Sequence, residues 1–493
     1  MRKVLVLLSA AALSSAPLTA QTPDDVLHRI REEGMQRSQA METFQTLTDV
    51  FGGRLTGSLA FHEAVDWTSA RLEGWGVETR IEPFDFGRGW SLEKLTLEME
   101  APYYDPLTGH PEAWSPSTEG VLEGVPVYVG DRTADEIRRA AGRLRGAIVL
   151  PYPPQPGFIT EDRPQPTEHD GPVRIGAPPF IRPDGPVPGR EVPDLMDEVG
   201  AGVYFRPDQG AHGTLFVLGR SRDTPDDGAA SVVLSGEDYN RLVRLLQVGV
   251  EPRLRVEVRT RYHEDDTHGY NILAEIPGTD PRLADEVVMA GAHLDSWHSS
   301  TGATDNADGV AAVTEALRIL KAVDARPRRT VRIALWGGEE QGLLGSRAWV
   351  AANLEGEENR EVREKLSIYL NQDIGGGPVY GLYLQGNDAA AATLDRWIAE
   401  LRDVGARGNV RESIGSSDHV PFDRAGVPSF STVQDYTDYD VRTHHTNADS
   451  YERVREEDLK QSAVVLAALL YRAAMADERL PRKTPAASGG TRR

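Results

Sequence analysis

The chain has 493 residues, 39% of them hydrophobic and 26% charged, with no cysteine and a formal net charge of −22 at pH 7. That length carries two to three domains with a real core, while the negative balance argues against nucleic acid or an anionic membrane as partner. Disulfides and attachment through an N-terminal cysteine are excluded, and no run beyond the first twenty residues approaches the ~20 apolar residues of a membrane span.

Residues 1–20 open with Arg2 and Lys3, continue with an apolar stretch from Val4 to Leu13, and end in small residues at Leu18-Thr19-Ala20. This pattern predicts a secretory signal peptide cleaved after Ala20, hence a secreted or periplasmic bacterial protein. Residues 21–114 read as the first part of the main domain. A helix is expected from Thr22 to about Val50, then a turn at GGRLTGS, an amphipathic helix with Ala60, Val65, Trp67, Ala70 and Leu72 on one face, and a strand. From 115 to 262 the text turns rich in Pro, Gly and Asp, with short strands VPVYVG, GAIVLP, AGVYFRP and GTLFVLG. Turn-punctuated strands of this kind predict a β-rich inserted module. Its most Pro-laden segment, Tyr152 to Val192, reads as an irregular loop, either disordered or a lid.

Residues 263–478 alternate long apolar runs with helical patterns such as Asp308–Val323 and Asp458–Met475. The fold class is therefore α/β, a mostly parallel or mixed sheet flanked by helices, with the β-rich module inserted. Residues 479–493 read as a low-complexity polar tail that is expected to be disordered.

Acids and imidazoles sit where this fold gathers ligands, just beyond the carboxyl ends of strands. His293 and Asp295 close VVMAGAHLD, Glu339 and Glu340 close TVRIALWGGEE, Asp373 closes SIYLNQD, and His445 follows VPSFSTV in a polar loop. His293 and Asp295 stand two apart, which suits a metal-binding ring whose second N–H is taken by the carboxylate; the alternative is a plain strand cap. Asp305, in TGATDNADG, either caps the helix starting near Asp308 or bridges two cations with its two oxygens. Asn306 and Asp308 are the better caps. Glu339 and Glu340 either form an acidic helix N-terminus or divide metal binding from proton transfer, with Gly337 and Gly338 allowing the tight turn before them. Two His and three carboxylates suit Zn²⁺ and exceed what one ion needs, so the set reads as a two-metal hydrolase.

Taken together, GAHLDSW, TGATDNADG, LWGGEEQGLLGS, NQDIGG, SSDHVPF and HHTNADS resemble the zinc aminopeptidases and carboxypeptidases of peptidase family M28, over Tyr270 to about Leu470 and the early GGRLTGS. The resemblance implies two Zn²⁺ per chain: His293 and Asp373 on one, Glu340 and His445 on the other, Asp305 bridging. It implies Glu339 as general base, Asp295 orienting His293, and a cis peptide bond at Asp305–Asn306. His444 is adjacent to His445, and the His-Thr-x-x-Asp-Ser spacing favours His445. A tyrosine near the last ligand stabilises the oxyanion in the family; Tyr436 and Tyr439 are both candidates. The insert resembles a protease-associated (PA) domain. The expected substrate is the end of a short peptide, with aminopeptidase or dipeptidase action favoured over carboxypeptidase action, and no nucleic-acid partner. The oligomeric state is left open, a homodimer being one option. Two rivals stand beside this reading: a non-catalytic, receptor-like binding protein and a single-zinc glutaminyl cyclase.

Overall fold

The computed structural model describes residues 22–168 and 176–483. The signal peptide expected at residues 1–20 lies outside the described residues, as does the part of the expected 479–493 tail from 484 onward. Residues 479–483 are described and packed, with Leu480 buried and Arg482 donating to the carbonyls of Arg363 and Leu366.

A seven-stranded mixed sheet organises the larger part of the chain. Its strands run, edge to edge, Glu78–Asp85, His268–Ile276, Thr330–Trp336, Val287–His293, Leu366–Asn371, Ser429–Val433 and Gly381–Leu382. The four from Thr330–Trp336 to Ser429–Val433 are mutually parallel, and antiparallel strands flank them on both sides. The central strands are apolar runs such as VVMAGAH and LSIYLN, buried along nearly their whole length, as strands covered on both faces must be. One face is covered by Asp308–Ala322 and Glu456–Met475, which pack on each other and on Val287–His293. With Pro23–Gln36 they enclose the principal core. On the other face Trp336, Trp349, Tyr369 and Phe422 form an aromatic layer, with Tyr369 and Phe422 stacked at 4.0 Å between centroids.

The helix expected from Thr22 to Val50 is broken. It is a helix at Pro23–Gln36, a second at Ala40–Gln45 and a π turn at Thr46–Phe51. A tertiary bond decides this: the Gln39 N–H donates to Glu315 of the covering helix at 3.1 Å, and the Ser38 hydroxyl accepts from Ala40 N–H.

The remaining strands build two further sheets. A five-stranded sheet runs Gly109–Pro111, Ala230–Leu234, Val203–Pro207, Ile148–Leu150, Val127–Tyr128, and a four-stranded sheet is centred on the long antiparallel pair Gly89–Ala101 and Arg253–His263. They share a hydrophobic cluster of their own around Met99, Val149, Met196, Val203, Tyr204, Tyr239 and Val256. The segment GTLFVLG does not pair within either sheet. Phe216 instead bridges Thr446, and the Val217 N–H donates to the His445 carbonyl at 3.0 Å. Between Tyr152 and Val192 the described backbone is mostly irregular, with short 3₁₀ turns at Pro166–Glu168 and Gly189–Glu191.

Candidate metal centre

The three central parallel strands and Ser429–Val433 end on one edge of the sheet, and the acids and imidazoles meet there. His293 is the last residue of its strand, while Glu339, Glu340 and Asp373 follow theirs within two to four residues. The turn into Glu339 requires both glycines. Gly338 has φ +66°, and a Cβ on Gly337 would come within 2.6 Å of the Tyr270 carbonyl.

Asp305 stands at the middle. Its Oδ1 is 3.2 Å from His293 Nε2, which also lies 3.0 Å from Asp373 Oδ1. Its Oδ2 is 3.3 Å from His445 Nε2, which lies 2.9 Å from Glu340 Oε2. The two oxygens of one carboxylate therefore face two different imidazole–carboxylate pairs. Asp305 does not cap the helix that follows; the Asn306 side chain accepts the Gly309 N–H instead, at 3.1 Å. The Asp305–Asn306 peptide bond is cis.

The site is buried and strongly acidic, and its protonation reflects both facts. Burial pushes the Glu339 carboxyl well above the ordinary range, with Asp373, Asp418 and Glu340 adding to the shift against His293. Glu340 rises to about 7 through burial and the Asp305 charge, opposed by His445. Burial lowers His445, but Glu340 and Asp305 outweigh it and bring the ring to about 9. Burial likewise raises Asp373, yet His293 and the Ser417 hydroxyl hold it below its usual value. Asp305 Oδ2, Glu340 Oε1 and His445 Nδ1 are buried and make no hydrogen bond to the described residues. Five N and O donors converging with orphaned lone pairs are a donor set that fits cations of the zinc type.

Several supports were not singled out in the sequence. Arg54, in GGRLTGS, is fully buried and donates to the carbonyls of Leu294, Thr301 and Gly302, fixing the loop between His293 and Asp305. Burial lowers its guanidinium to about 10 against the pull of Asp449, Asp295, Asp305 and Glu340. Asp449 accepts from the backbone N–H groups of Thr304 at 2.8 Å and Asp305 at 3.1 Å. Both residues lay inside quoted motifs. The signal available was an Arg in a Gly-rich turn and the first acid after the histidine pair.

Asp295 departs from the expected arrangement. His293 Nδ1 contacts the Asp295 main-chain carbonyl at 2.9 Å and its carboxylate only at 3.5 Å. The carboxylate instead receives the N–H groups of Glu339 and Glu340, at 3.3 and 3.4 Å. Asp295 thus orients the ring through its backbone and the two glutamates through its side chain.

His444 also brings a ring nitrogen within 4.8 Å of Asp305 and His445. Its ring stacks on Tyr439 at 5.0 Å, however, and makes no hydrogen bond or ion pair to the described residues, so His445 has the direct contacts. Tyr439 lines the cleft and its hydroxyl is not engaged by any described residue, whereas the Tyr436 hydroxyl is bonded to Tyr383 at 2.6 Å.

The cleft over these groups has a volume of about 580 Å³. Arg163, Phe180 and Phe216 reach it from the 105–263 part of the chain. Arg163 is buried and forms a two-pronged pair with Asp440, at 2.8 and 2.6 Å, while Asp162 accepts the N–H groups of Asp438 and Val441.

Residues 271–470 match the model of Peptidase family M28. Human carboxypeptidase Q is 24% identical over 457 residues, covering 91% of this chain and 88% of that protein. The crystal structure of a peptidase M28 precursor from Shewanella amazonensis is 25% identical with a TM-score of 0.71, covering 94% of this chain and 99% of that one. A zinc aminopeptidase of Bacillus subtilis shares the fold, at 20% identity and TM-score 0.59 over 90% of this chain and 97% of its own. The molecule is a metal-dependent peptidase. It carries a peptidase M28 domain. Among the described residues no helix is long and apolar enough to cross a membrane.

Proposed function

We propose that the chain is a secreted exopeptidase holding two Zn²⁺, acting on the ends of short peptides as an aminopeptidase or dipeptidase. One observation carries the two-ion reading: the oxygens of Asp305 face separate imidazole–carboxylate pairs, His293 with Asp373 and His445 with Glu340. Those five residues are the proposed ligands, with Asp305 between the ions. Bound zinc supplies Lewis acidity that makes water nucleophilic near neutral pH and polarises a peptide carbonyl.

The chain's own groups supply the rest. Glu339, buried in the cleft wall beside the proposed ligands, takes the proton from the attacking water and returns it to the leaving amine. The Tyr439 hydroxyl, in the cleft lining, is proposed to donate to the oxygen that gains charge. Asp295, Arg54 and Asp449 hold the ligand-bearing loops.

Similarity to carboxypeptidase Q over most of the chain keeps carboxypeptidase action as the second reading. The expected leader at residues 1–20 supports secretion. The sheet-rich segment placed by composition at 115–262 is proposed as a PA-like domain that borders the cleft.

The test is hydrolysis of free dipeptides beside N-blocked and C-amidated versions, with and without chelator, with Glu339→Gln as control. Loss on N-blocking alone identifies an aminopeptidase, loss on C-amidation alone a carboxypeptidase, and loss on both a dipeptidase. A metal content near one per chain without peptide hydrolysis would select the single-zinc acyltransferase. Two bound ions with no Glu339-dependent cleavage would select the binding protein.

A further inference from the structure

The metal cleft has a neighbour. A second cavity of about 710 Å³ opens in the 105–263 part of the chain and shares Phe180, Phe216 and Leu218 with the cleft. The separating wall is a pair of rings. Phe216 lies 5.4 Å from the His445 ring and 5.3 Å from Phe180, which meets it edge to face.

Phe216 is fixed. Its N–H donates to Asp208 Oδ2 at 3.0 Å, its carbonyl accepts from Arg206 at 3.2 Å, and the next N–H reaches the His445 carbonyl. Phe180 is 51% exposed and carries the Arg182 guanidinium 4.8 Å from its centroid. The wall thus has one anchored ring and one ring at the rim.

Polar groups with unused bonding capacity lie at or just behind the wall of the second cavity. Asp208 borders it and is 1% exposed, and its buried Oδ1 has no hydrogen-bond partner among the described residues. A buried acceptor left open beside a cavity is costly unless a donor arrives. Arg182 lines the same space and has neither a hydrogen bond nor an ion pair to any described residue. Arg206, by contrast, is already paired with Glu112 at 3.2 Å.

We propose that this cavity binds the far part of the peptide substrate. Backbone N–H groups would meet Asp208, and a carboxylate three or more residues from the reacting end would meet Arg182. An extended chain advances ~3.3–3.6 Å per residue, so about three residues carry it from beside His445 past both rings. A cavity of this size is ordinary for a ligand site. The substrate class is then peptides of about four residues or more, acidic at the end away from the scissile bond. The inference rests on the exopeptidase reading above, on its aminopeptidase rather than its dipeptidase side, and names where the unreacted part of the chain goes.

The experiment uses the full chain loaded with zinc and compares Leu-Ala with Leu-Ala-Ala-Ala-Asp and Leu-Ala-Ala-Ala-Lys. If the carboxyl end reacts, Ala-Leu, Asp-Ala-Ala-Ala-Leu and Lys-Ala-Ala-Ala-Leu replace them. The acidic pentapeptide is expected to exceed the dipeptide at least tenfold in kcat/KM and the lysine peptide about threefold, mostly through KM. Arg182→Glu should reverse the preference for aspartate over lysine. Gly189→Trp should place a bulky ring inside the cavity, obstructing it, and remove much of the length advantage. A Cβ at Gly189 sits 3.8 Å from its nearest neighbour, Tyr152, so that position accepts a side chain. Equal kcat/KM for dipeptide and pentapeptide, or a length advantage intact in both variants, overturns the proposal. Failure of the peptidase reading looks different, since no peptide would be cleaved. In that case calorimetric binding to the zinc-loaded Glu339→Gln protein decides, with tenfold tighter pentapeptide than dipeptide expected and equal affinities refuting the cavity.

Discussion

In the proposed mechanism, single side chains at the centre divide into those that hold charge and one that moves a proton, and substitution separates them. Glu339→Gln keeps the shape of the site but cannot accept a proton; kcat should fall by ~10²–10⁴ while metal content stays at the wild-type level. Coupled loss of metal and activity would instead make Glu339 a ligand. The adjacent histidines give a second contrast. His445 touches Asp305 and Glu340, whereas His444 packs on Tyr439. His445→Ala should therefore lower bound zinc by about one ion per chain, and His444→Ala should leave it unchanged, as measured by elemental analysis. Farther out, His298 shows the cost of burying an imidazole. Burial, aided by His110, depresses its pKa to about 3, and its Nε2 contacts the Pro111 carbonyl at 2.8 Å. The unfolded ring titrates near its ordinary value, so the contribution of the neutral ring is intact above about pH 6.5 and is lost as pH falls toward 3. His298→Asn, which keeps a donor for Pro111, should lose less stability over that window in urea titrations.

Between elements, the critical joint is the one that ties the Pro-rich segment to the loop bearing His445. Arg163 and Asp440 are both almost fully buried, at 5% and 1% side-chain exposure. Removing one partner leaves an unpaired buried charge, so Arg163→Met should destabilise by about 3–5 kcal/mol. The double variant Arg163→Met/Asp440→Leu should recover part of that loss. Equal destabilisation in single and double variants would show that packing, not charge, holds the joint. This joint was not legible in the sequence. Tyr152–Val192 reads as an irregular loop because its prolines carry no period, and nothing local announces that Asp162 and Arg163 bond to residues some 277 positions away. The strand ends were legible for the opposite reason. Apolar runs such as VVMAGAH stop at a His or an acid, and parallel strands place such endings side by side.

For the whole molecule, the acidic centre ties folding to metal. Asp305, Glu340, Asp295 and Asp449 surround Arg54, the buried cation whose charge they share, and Asp373 faces His293 beside them. Removing bound cations leaves these carboxylates opposed mainly by imidazolium and Arg54. Chelation should therefore lower Tm, and zinc at about a hundredfold above its Kd should restore about 2.7 kcal/mol. An unchanged melting curve after verified metal loss would contradict this coupling.

The sequence by itself determined the fold class, the family resemblance and the residues that gather at the strand ends, because strand periodicity and the chemistry of metal ligands are local properties. Tertiary structure decided what depends on three-dimensional neighbours. It gave the Asp295 carboxylate to the backbone of Glu339 and Glu340, and set His445 against the centre with His444 on Tyr439. It broke the first helix at Gln39, and turned GTLFVLG out of its own sheet to pair with the His445 loop. Each of these is a hydrogen bond or ring contact between segments far apart in the chain, and no local pattern encodes which distant group will satisfy a buried polar atom.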